Sequence, residues 1–572
     1  MRNRRLHLLL LPIILICLNG AFPAATAQAE PRFIEGTDPA AKMFNPSEVN
    51  KFTLKMSTAD FDSLKRPNVA WDVEGPWRAA TLNAVIAGKN YGPMKVGVHL
   101  KGAYGSWRDV TEKAGFKIKI DAFVSKQTLL GLVKITLNNM VQDPSYIHEP
   151  MTYKLMRDLG VPAPRAGYAN VFLNGINYGL HLNVETIDPI FLARWGITSN
   201  HLYKGGLPSL PDFYPGYERS YSIESGSESN ISDLTAFVEA NQNDGDQWWE
   251  AVSKLADMNE LTLVWASELY AGHWDGYTVN RNNYYINFDN NGKAILLSWG
   301  TDQTWNSGYD YFSFNGLLAQ KCMTSTKCHE LYLQTLAKVA KTAKATNLYV
   351  YGSDIALSIM DAIGQDPWHN FGDARAYQEG AINQASAQLA YLQNMVVPWD
   401  TTAGSVTINH KSYSSEAVAY LAPGTTNAEI AVVPTQPDAT SESIKTQLVS
   451  GINNIQATIT SADGLHSNIL DLSVYVLSQR KTSAKINFKF GKADVSPSGA
   501  TSLTGIMDKL YSAKNMELTL TLPKSQSKTI NDKRASVILK KFNNQGFSPT
   551  KLTKLYSGSN KDQVLVSVSY QN

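Results

Sequence analysis

The apolar period of this 572-residue chain changes twice along its length, and a single hydrophobic core cannot satisfy all three patterns. Up to Val397, segments that alternate every second residue are interleaved with segments of helical spacing. "MKVGVHLKG", "FKIKID" and "VKITLNN" read as strands. "SYIHEPMTYKLMRDLG" brings Ile147, Met151, Leu155 and Leu159 onto one helical face and stops at Gly160. "ANVFLNGINYGLHLNVE" reads as two strands around an Asn-Gly turn, "MNELTLVWASELYAGHW" as a helix, and "NNYYINFDNNGKAILLSW" as a second hairpin. Residues 400–480 hold only short strands punctuated by Ser, Thr, Pro and Gly, the pattern of a β-sandwich. From Lys481 the order is β-α-β-α-β, a small α+β unit. The expected boundaries are residues 1–29, 30–398, 399–480 and 481–572 of a multidomain chain.

Residues 1–29 combine Arg2, Arg4 and Arg5, the apolar run "LLLLPIILICL" and "AQA" before Glu30, the three parts of a secretory signal. Cleavage after Ala29 is expected, and Ile16 before Cys17 argues against lipid attachment. No later stretch is apolar enough to span a bilayer, so a secreted or envelope location in a bacterium is expected. Removal of Cys17 leaves Cys322 and Cys328 in "KCMTSTKC", which predicts a disulfide in an oxidising compartment, with two free thiols as the alternative. Only His329 lies beside them, which is too few ligands for zinc. The formal net charge of +2 conceals a division: from Lys481 onward 15 Lys and Arg face 5 Asp and Glu, and the remainder is net acidic. That tail calls for an anionic partner such as a cell-wall or other envelope polymer, and nothing in the chain calls for nucleic acid.

One constellation fits phosphoryl transfer. That chemistry needs a lysine for the phosphates, a carboxylate to take the nucleophile's proton, and an amide plus a second carboxylate to hold the metal. "HWDGYTVNRNNYY" supplies Asp275 as base, with Asn283 entering a strand, and "SWGTDQTW" supplies Asp302 just beyond the paired strand. Upstream, "KGAYGSW" places Gly102 and Gly105 on a turn where backbone N–H groups can approach phosphates, or where any hairpin can close. Lys113, Lys117 and Lys119 follow, the last two on one face of a strand that also reads as a solvated basic face. Glu149, on the next helix, is either the partner that orients a lysine or a surface acid.

"HLKGAYGSW", "LNNMVQDPSYIHEPMTYKLMRDLGVPAPRAGYANVFLNGINYGLHLNVETID", "LYKGG" and "GHWDGYTVNRNNYYINFDNNGKAILLSWGTDQTW" together resemble the CotH kinase family of spore-coat-protein-H-like atypical protein kinases, over nearly all of Phe33 to Val397. The resemblance implies a kinase-like α+β fold, ATP with Mg²⁺ or Mn²⁺, and transfer to Ser or Thr hydroxyls of a protein substrate. It maps the base onto Asp275, the metal-binding amide and carboxylate onto Asn283 and Asp302, and the lysine onto Lys113 or Lys117. It also sets Glu185 and Asp188 of "VETID" near the nucleotide. Counting five residues from Asp275, as in protein kinases, reaches Asn280. Asn283 is preferred because its strand position fixes where the side chain points. "GINNIQATITSADGLHSNILDLSVYVL" is similar to the closing strands of cadherin-like or Ig-like modules. "NDKRASVILKKFNNQGF" resembles the arginine helix of OmpA-like domains, which assigns peptidoglycan contact to Arg534, although "LTLPKSQS" lacks that family's acidic motif. The competing expectation is a non-catalytic surface protein that keeps a kinase-like scaffold. A glycan-active enzyme, suggested by 12 Trp and 27 Tyr, ranks below both for want of paired carboxylates.

Overall fold

The computed structural model describes residues 38–65, 76–206, 212–368, 371–413, 418–510 and 513–571. The expected signal and its Cys17 lie outside them.

Seven strands form a closed barrel: β1 (Val49–Lys55), β2 (Arg78–Ile86), β3 (Lys89–Lys101), β4 (Gly115–Lys119), β5 (Lys134–Asn138), β6 (Ala166–Leu173) and β7 (Ile176–Val184). A short helix, α1 (Thr58–Leu64), follows β1, capped by the Ser57 hydroxyl. Pairing runs antiparallel in the order β1-β2-β3-β4-β5-β7-β6 and closes through a parallel contact of β1 with β6. Phe52, Leu54, Leu82, Val96, Val98, Phe116, Ile118 and Leu137 fill the interior. Because side chains alternate along a strand, Lys101, Lys117 and Asn138 are left for the outer face.

That face is covered by α2 (His148–Asp158) and by a larger helical half. α3 (Pro189–Arg194) leads into a sheet of β8 (His201–Gly205), β9 (Ser222–Ser225), β10 (Tyr284–Phe288) and β11 (Ala294–Ser298), in the order β11-β10-β8-β9. Around it lie α4 (Ser232–Ala240), α5 (Gly245–Val252), α6 (Met258–Ala271), α7 (Leu317–Thr324), α8 (Thr326–Thr346), α9 (Leu348–Gly364) and α10 (Phe371–Val396). α6 is buried nearly all round, its buried polar groups Glu260, Thr262, Ser267 and Glu268 included. Asp257 caps its start, and Gly272, at φ 69°, ends it where a Cβ would meet the Ser307 carbonyl. Cys322 and Cys328 are joined with a sulfur–sulfur distance of 2.05 Å, tying the end of α7 to the start of α8.

Two four-stranded sheets built from residues 403–476 bury one shared cluster, including Val406, Ile430, Ile459 and Val474. The last unit is a four-stranded sheet ordered Gln479–Asn487, Gln563–Gln571, Lys514–Pro523, Lys551–Gly558. Helices Pro497–Met507 and Lys528–Asn544 pack on it through Leu503, Ile506, Ile538 and Phe542. Among the described residues no helix is long and apolar enough to cross a membrane.

His181 of β7 makes the barrel's stability depend on pH. Its ring is fully buried and donates from Nε2 to the Ala114 carbonyl at 2.8 Å, and burial, reinforced by the Lys113 charge, lowers its pKa to about 4. The folded state therefore holds it neutral, while the unfolded chain takes up a proton near pH 6.5. This contribution is full above pH 6.5 and is lost as the pH falls toward 4. The melting temperature should drop across that window, and His181→Gln should flatten the dependence.

Candidate active site

The outer face of the barrel gathers lysines. Lys101 ends β3 opposite Gly115, and Lys117 in β4 stands opposite His99, so the two occupy one face a diagonal step apart. Asn138 at the end of β5 extends the row and donates at 2.6 Å to the Glu149 carboxyl on α2, whose other oxygen accepts the Tyr153 hydroxyl at 3.1 Å. Burial lowers the pKa of Lys101, Glu149 and Asp302 oppose the shift, and Lys117 and Lys204 add to it. Burial likewise raises Glu149 to about 8, with Asp302 adding and Lys101 opposing. Asp302 rises to about 6, again chiefly by burial and against Lys101. Lys101, Lys117, Glu149 and Asp302, all buried or half-buried, thus act on one another, with exposed Lys204 adding to the field, an arrangement suited to a polyanion with its cation.

Asp275 lies on the loop after α6. Its Oδ1 accepts from Asn280 at 2.6 Å and from Asn282 at 3.1 Å, and its Oδ2 accepts from Asn282 at 3.1 Å and Asn283 at 2.8 Å. Four amide N–H bonds match the lone-pair capacity of one carboxylate and fix its plane. The loop reaches this shape through left-handed backbone at Arg281 (φ 56°) and Asn283 (φ 48°), conformations that non-glycine residues hold only when their surroundings impose them. Glu268 of α6 braces it from beneath, accepting from Thr278 N and Oγ1 on one oxygen and from the Ser298 hydroxyl on the other. Glycines make the room: a Cβ on Gly206 would lie 2.3 Å from Asn282 Oδ1, and one on Gly300 would lie 3.0 Å from the Asn283 amide. Asn283 therefore lies against Gly300, two residues before Asp302. Its NH₂ donates to Asp275, so the Oδ1 is the end of the amide turned away from that carboxylate oxygen.

The Asp302 segment is fastened to the helix that carries Glu149. His148 Nδ1 donates to the Asp302 carbonyl at 2.9 Å, Trp305 Nε1 donates to Thr152 Oγ1 at 2.9 Å, and the Thr152 and Thr304 hydroxyls meet at 3.0 Å.

Several residues assigned from sequence are already engaged by other side chains or by the backbone. Lys113 is buried and donates at 2.5 Å to both Asp366 and the Tyr146 hydroxyl, so its ammonium is not offered to the Asp275–Asp302 space. Glu185 is clamped by Arg165 and Arg194 through four side-chain bonds, and both its oxygens are taken. Asp188 caps α3, accepting from the N–H groups of Ile190 and Phe191. Glu185 thus has no oxygen left for a nucleotide, while Asp188 spends its Oδ1 on the cap. Gly102 and Gly105 do occupy a tight turn directly after Lys101, at φ 141° and 83°, closed by Trp107 N on the Ala103 carbonyl at 2.8 Å. Arg534 is fully buried and bonds the carbonyls of Lys492 and Lys561 and the carboxylate of Asp562, so the peptidoglycan contact expected of it is replaced by an internal role.

Sequence reasoning missed Lys101, Asn138, Asn282 and His148. For Lys101 the signal was present: strand parity puts it on the face of Lys117, at the edge of the glycine turn.

Among the described residues no group of three or more His, Cys, Asp and Glu converges on a metal position. The donors present, one half-buried carboxyl at Asp302 and the Asn283 amide oxygen, suit a Mg²⁺-like ion completed by phosphate oxygens and water rather than a protein-only cage.

Residues 98–370 match the family model described as CotH kinase protein. The inner spore coat protein H of Bacillus subtilis is 22% identical over 240 residues, which cover 39% of this chain and 66% of that protein. An inner spore coat protein H-like protein of the same organism is 32% identical over 90 residues, covering 16% of this chain and 28% of its own length. The chain thus spans less than two thirds of either relative. A Shewanella oneidensis HipA–HipB–operator DNA complex aligns with a TM-score of 0.25 and 12% identity, over 46% of this chain and 59% of that one, and at that score it carries no argument. The sequence matches support the CotH family for this part of the chain.

Proposed function

We propose that residues 30–398 form an ATP-dependent protein kinase that phosphorylates Ser or Thr hydroxyls of envelope or surface proteins. The observation that carries this reading is the amide-held carboxylate of Asp275, whose partner Asn283 packs against Gly300 two residues before Asp302, together with Lys101, Glu149 and Asp302 shifting one another's titration. The family match over residues 98–370 and relatives named for the inner spore coat add support for a kinase at a surface structure. The units 399–480 and 481–572, read as cadherin-like and OmpA-like, would hold the kinase at that surface.

In this reading Lys101, backed by Lys117, binds the phosphates, and Glu149 keeps the Lys101 ammonium oriented. Asn283 Oδ1 and Asp302 hold Mg²⁺ or Mn²⁺, which when bound supplies positive charge to the phosphate oxygens. Asp275 takes the proton of the substrate hydroxyl. Because its acceptor sites are filled, that hydroxyl displaces one asparagine bond. Each oxygen has two donors, so any one asparagine can yield and leave both oxygens still held.

The test is incorporation of labelled γ-phosphate into envelope extract and into the chain itself, with Mg²⁺ or Mn²⁺. Asp275→Asn and Asp302→Asn should each lose about 10²-fold or more. Incorporation that survives both would reject these roles. A wild-type chain that neither transfers phosphate nor binds ATP in a metal-dependent way would support the scaffold alternative.

A further inference from the structure

Arg534 draws together the turns at one end of the last sheet. Its Nε donates to the Lys492 carbonyl at 2.8 Å, its Nη1 to the Lys561 carbonyl at 2.7 Å and its Nη2 to Asp562 at 2.8 Å, while Phe488 lies under the guanidinium at 4.7 Å. Gly491 N donates to the same Asp562 oxygen at 3.0 Å, and Lys524 N donates to the Gly558 carbonyl at 3.0 Å. Turns 489–494, 523–527 and 558–562 therefore form one tip. Lys489, Lys492, Lys524 and Lys561 stand exposed on it. Of its acids, Asp562 is occupied by Arg534, which leaves Asp494 against four lysines. Phe490, between Lys489 and Lys492, is 84% exposed, the highest value for a large apolar side chain among the described residues.

We propose that this tip docks on an anionic lipid surface, with Phe490 entering the boundary between headgroups and acyl chains while the four lysines meet lipid phosphates. A phenylalanine held out in water by a braced turn gains only when something apolar covers it. Cations flanking an apolar wedge are the combination that binds a charged bilayer interface. A polyanionic wall polymer would be met by the lysines alone and gives Phe490 nothing to enter, so the lipid surface accounts for both features. Arg534 serves as the brace that joins two of the three lysine-bearing turns, those of Lys492 and Lys561.

The experiment is co-sedimentation of the chain from Glu30 onward with vesicles of equal parts phosphatidylglycerol and phosphatidylcholine, against phosphatidylcholine alone and against purified cell wall. Binding to the anionic vesicles is expected. It should weaken about tenfold or more in Phe490→Ser, the loss of one buried aromatic, and about a hundredfold at low ionic strength in the triple variant Lys489→Gln, Lys492→Gln, Lys561→Gln. All the substituted side chains are exposed, so unchanged melting curves will report intact folding. Absence of vesicle binding overturns the proposal. So does equal binding to neutral vesicles, or binding to cell wall alone that Phe490→Ser leaves intact, which would assign the tip to a polymer.

Discussion

Lys101→Met is expected to lower phosphoryl transfer by about 10²–10³-fold, the usual cost of removing one preorganised cationic or hydrogen-bonding group from a site where charge develops. The substitution keeps the length and apolar stem of the side chain and deletes its charge. Glu149 and Asp302 then face each other without the ammonium that opposes the rise in both their pKa values. Lys117→Met, one diagonal step away on the same barrel face, should cost less and should act mainly on the KM for ATP, because Lys117 adds to the field at Lys101 whereas Lys101 is the lysine that acts on both acids. Steady-state kinetics of the two variants at saturating metal make the comparison. Equal losses in kcat would make the two lysines one phosphate clamp. No loss with Lys101→Met would remove it from the site.

The distance between what sequence and structure say about the lysine has a physical cause. Asp275, Asn283 and Asp302 are legible because one helix, one loop and one hairpin carry them in chain order, and such local pieces show themselves through periodicity and turn residues. A lysine on a barrel is placed by which strands pair, and β1 closes on β6 by joining Val49 to Tyr168, far apart in sequence. Period-two alternation announces a strand without naming its partner. Lys113 misleads for the same reason, since its ammonium meets Asp366, 253 residues further on. Glu185 and Arg534 find their partners nearer, 9 and 20 residues away for Glu185 and 27 to 42 for Arg534, but still on other elements that no local pattern names. Asp188 is different: an acid immediately before Pro189 and an apolar run is the signature of a helix cap, and the cap is what the fold makes of it.

Lys113 and Asp366 give the second large effect, on stability rather than rate. Lys113→Met leaves a fully enclosed carboxylate without its counter-ion, and breaking a buried pair from one side costs about 3–5 kcal/mol. Asp366 would keep the Leu180 and Trp368 N–H groups, both at 2.9 Å, so its shell would be depleted rather than emptied. Gly179 shows how closely the carboxylate is fitted, since a Cβ there would fall 2.1 Å from an Asp366 oxygen. The pair fastens the α9–α10 junction to the barrel wall, so its loss should loosen the contact between the two halves. Denaturant unfolding of Lys113→Met, Asp366→Asn and the double variant closes a cycle. The double variant, with no buried charge left to orphan, should recover much of the loss from either single change. Phosphoryl transfer by Lys113→Met, measured well below its melting temperature, should stay near wild type. The reverse outcome, a stable Lys113→Met that cannot transfer phosphate, would return the phosphate-binding role to Lys113.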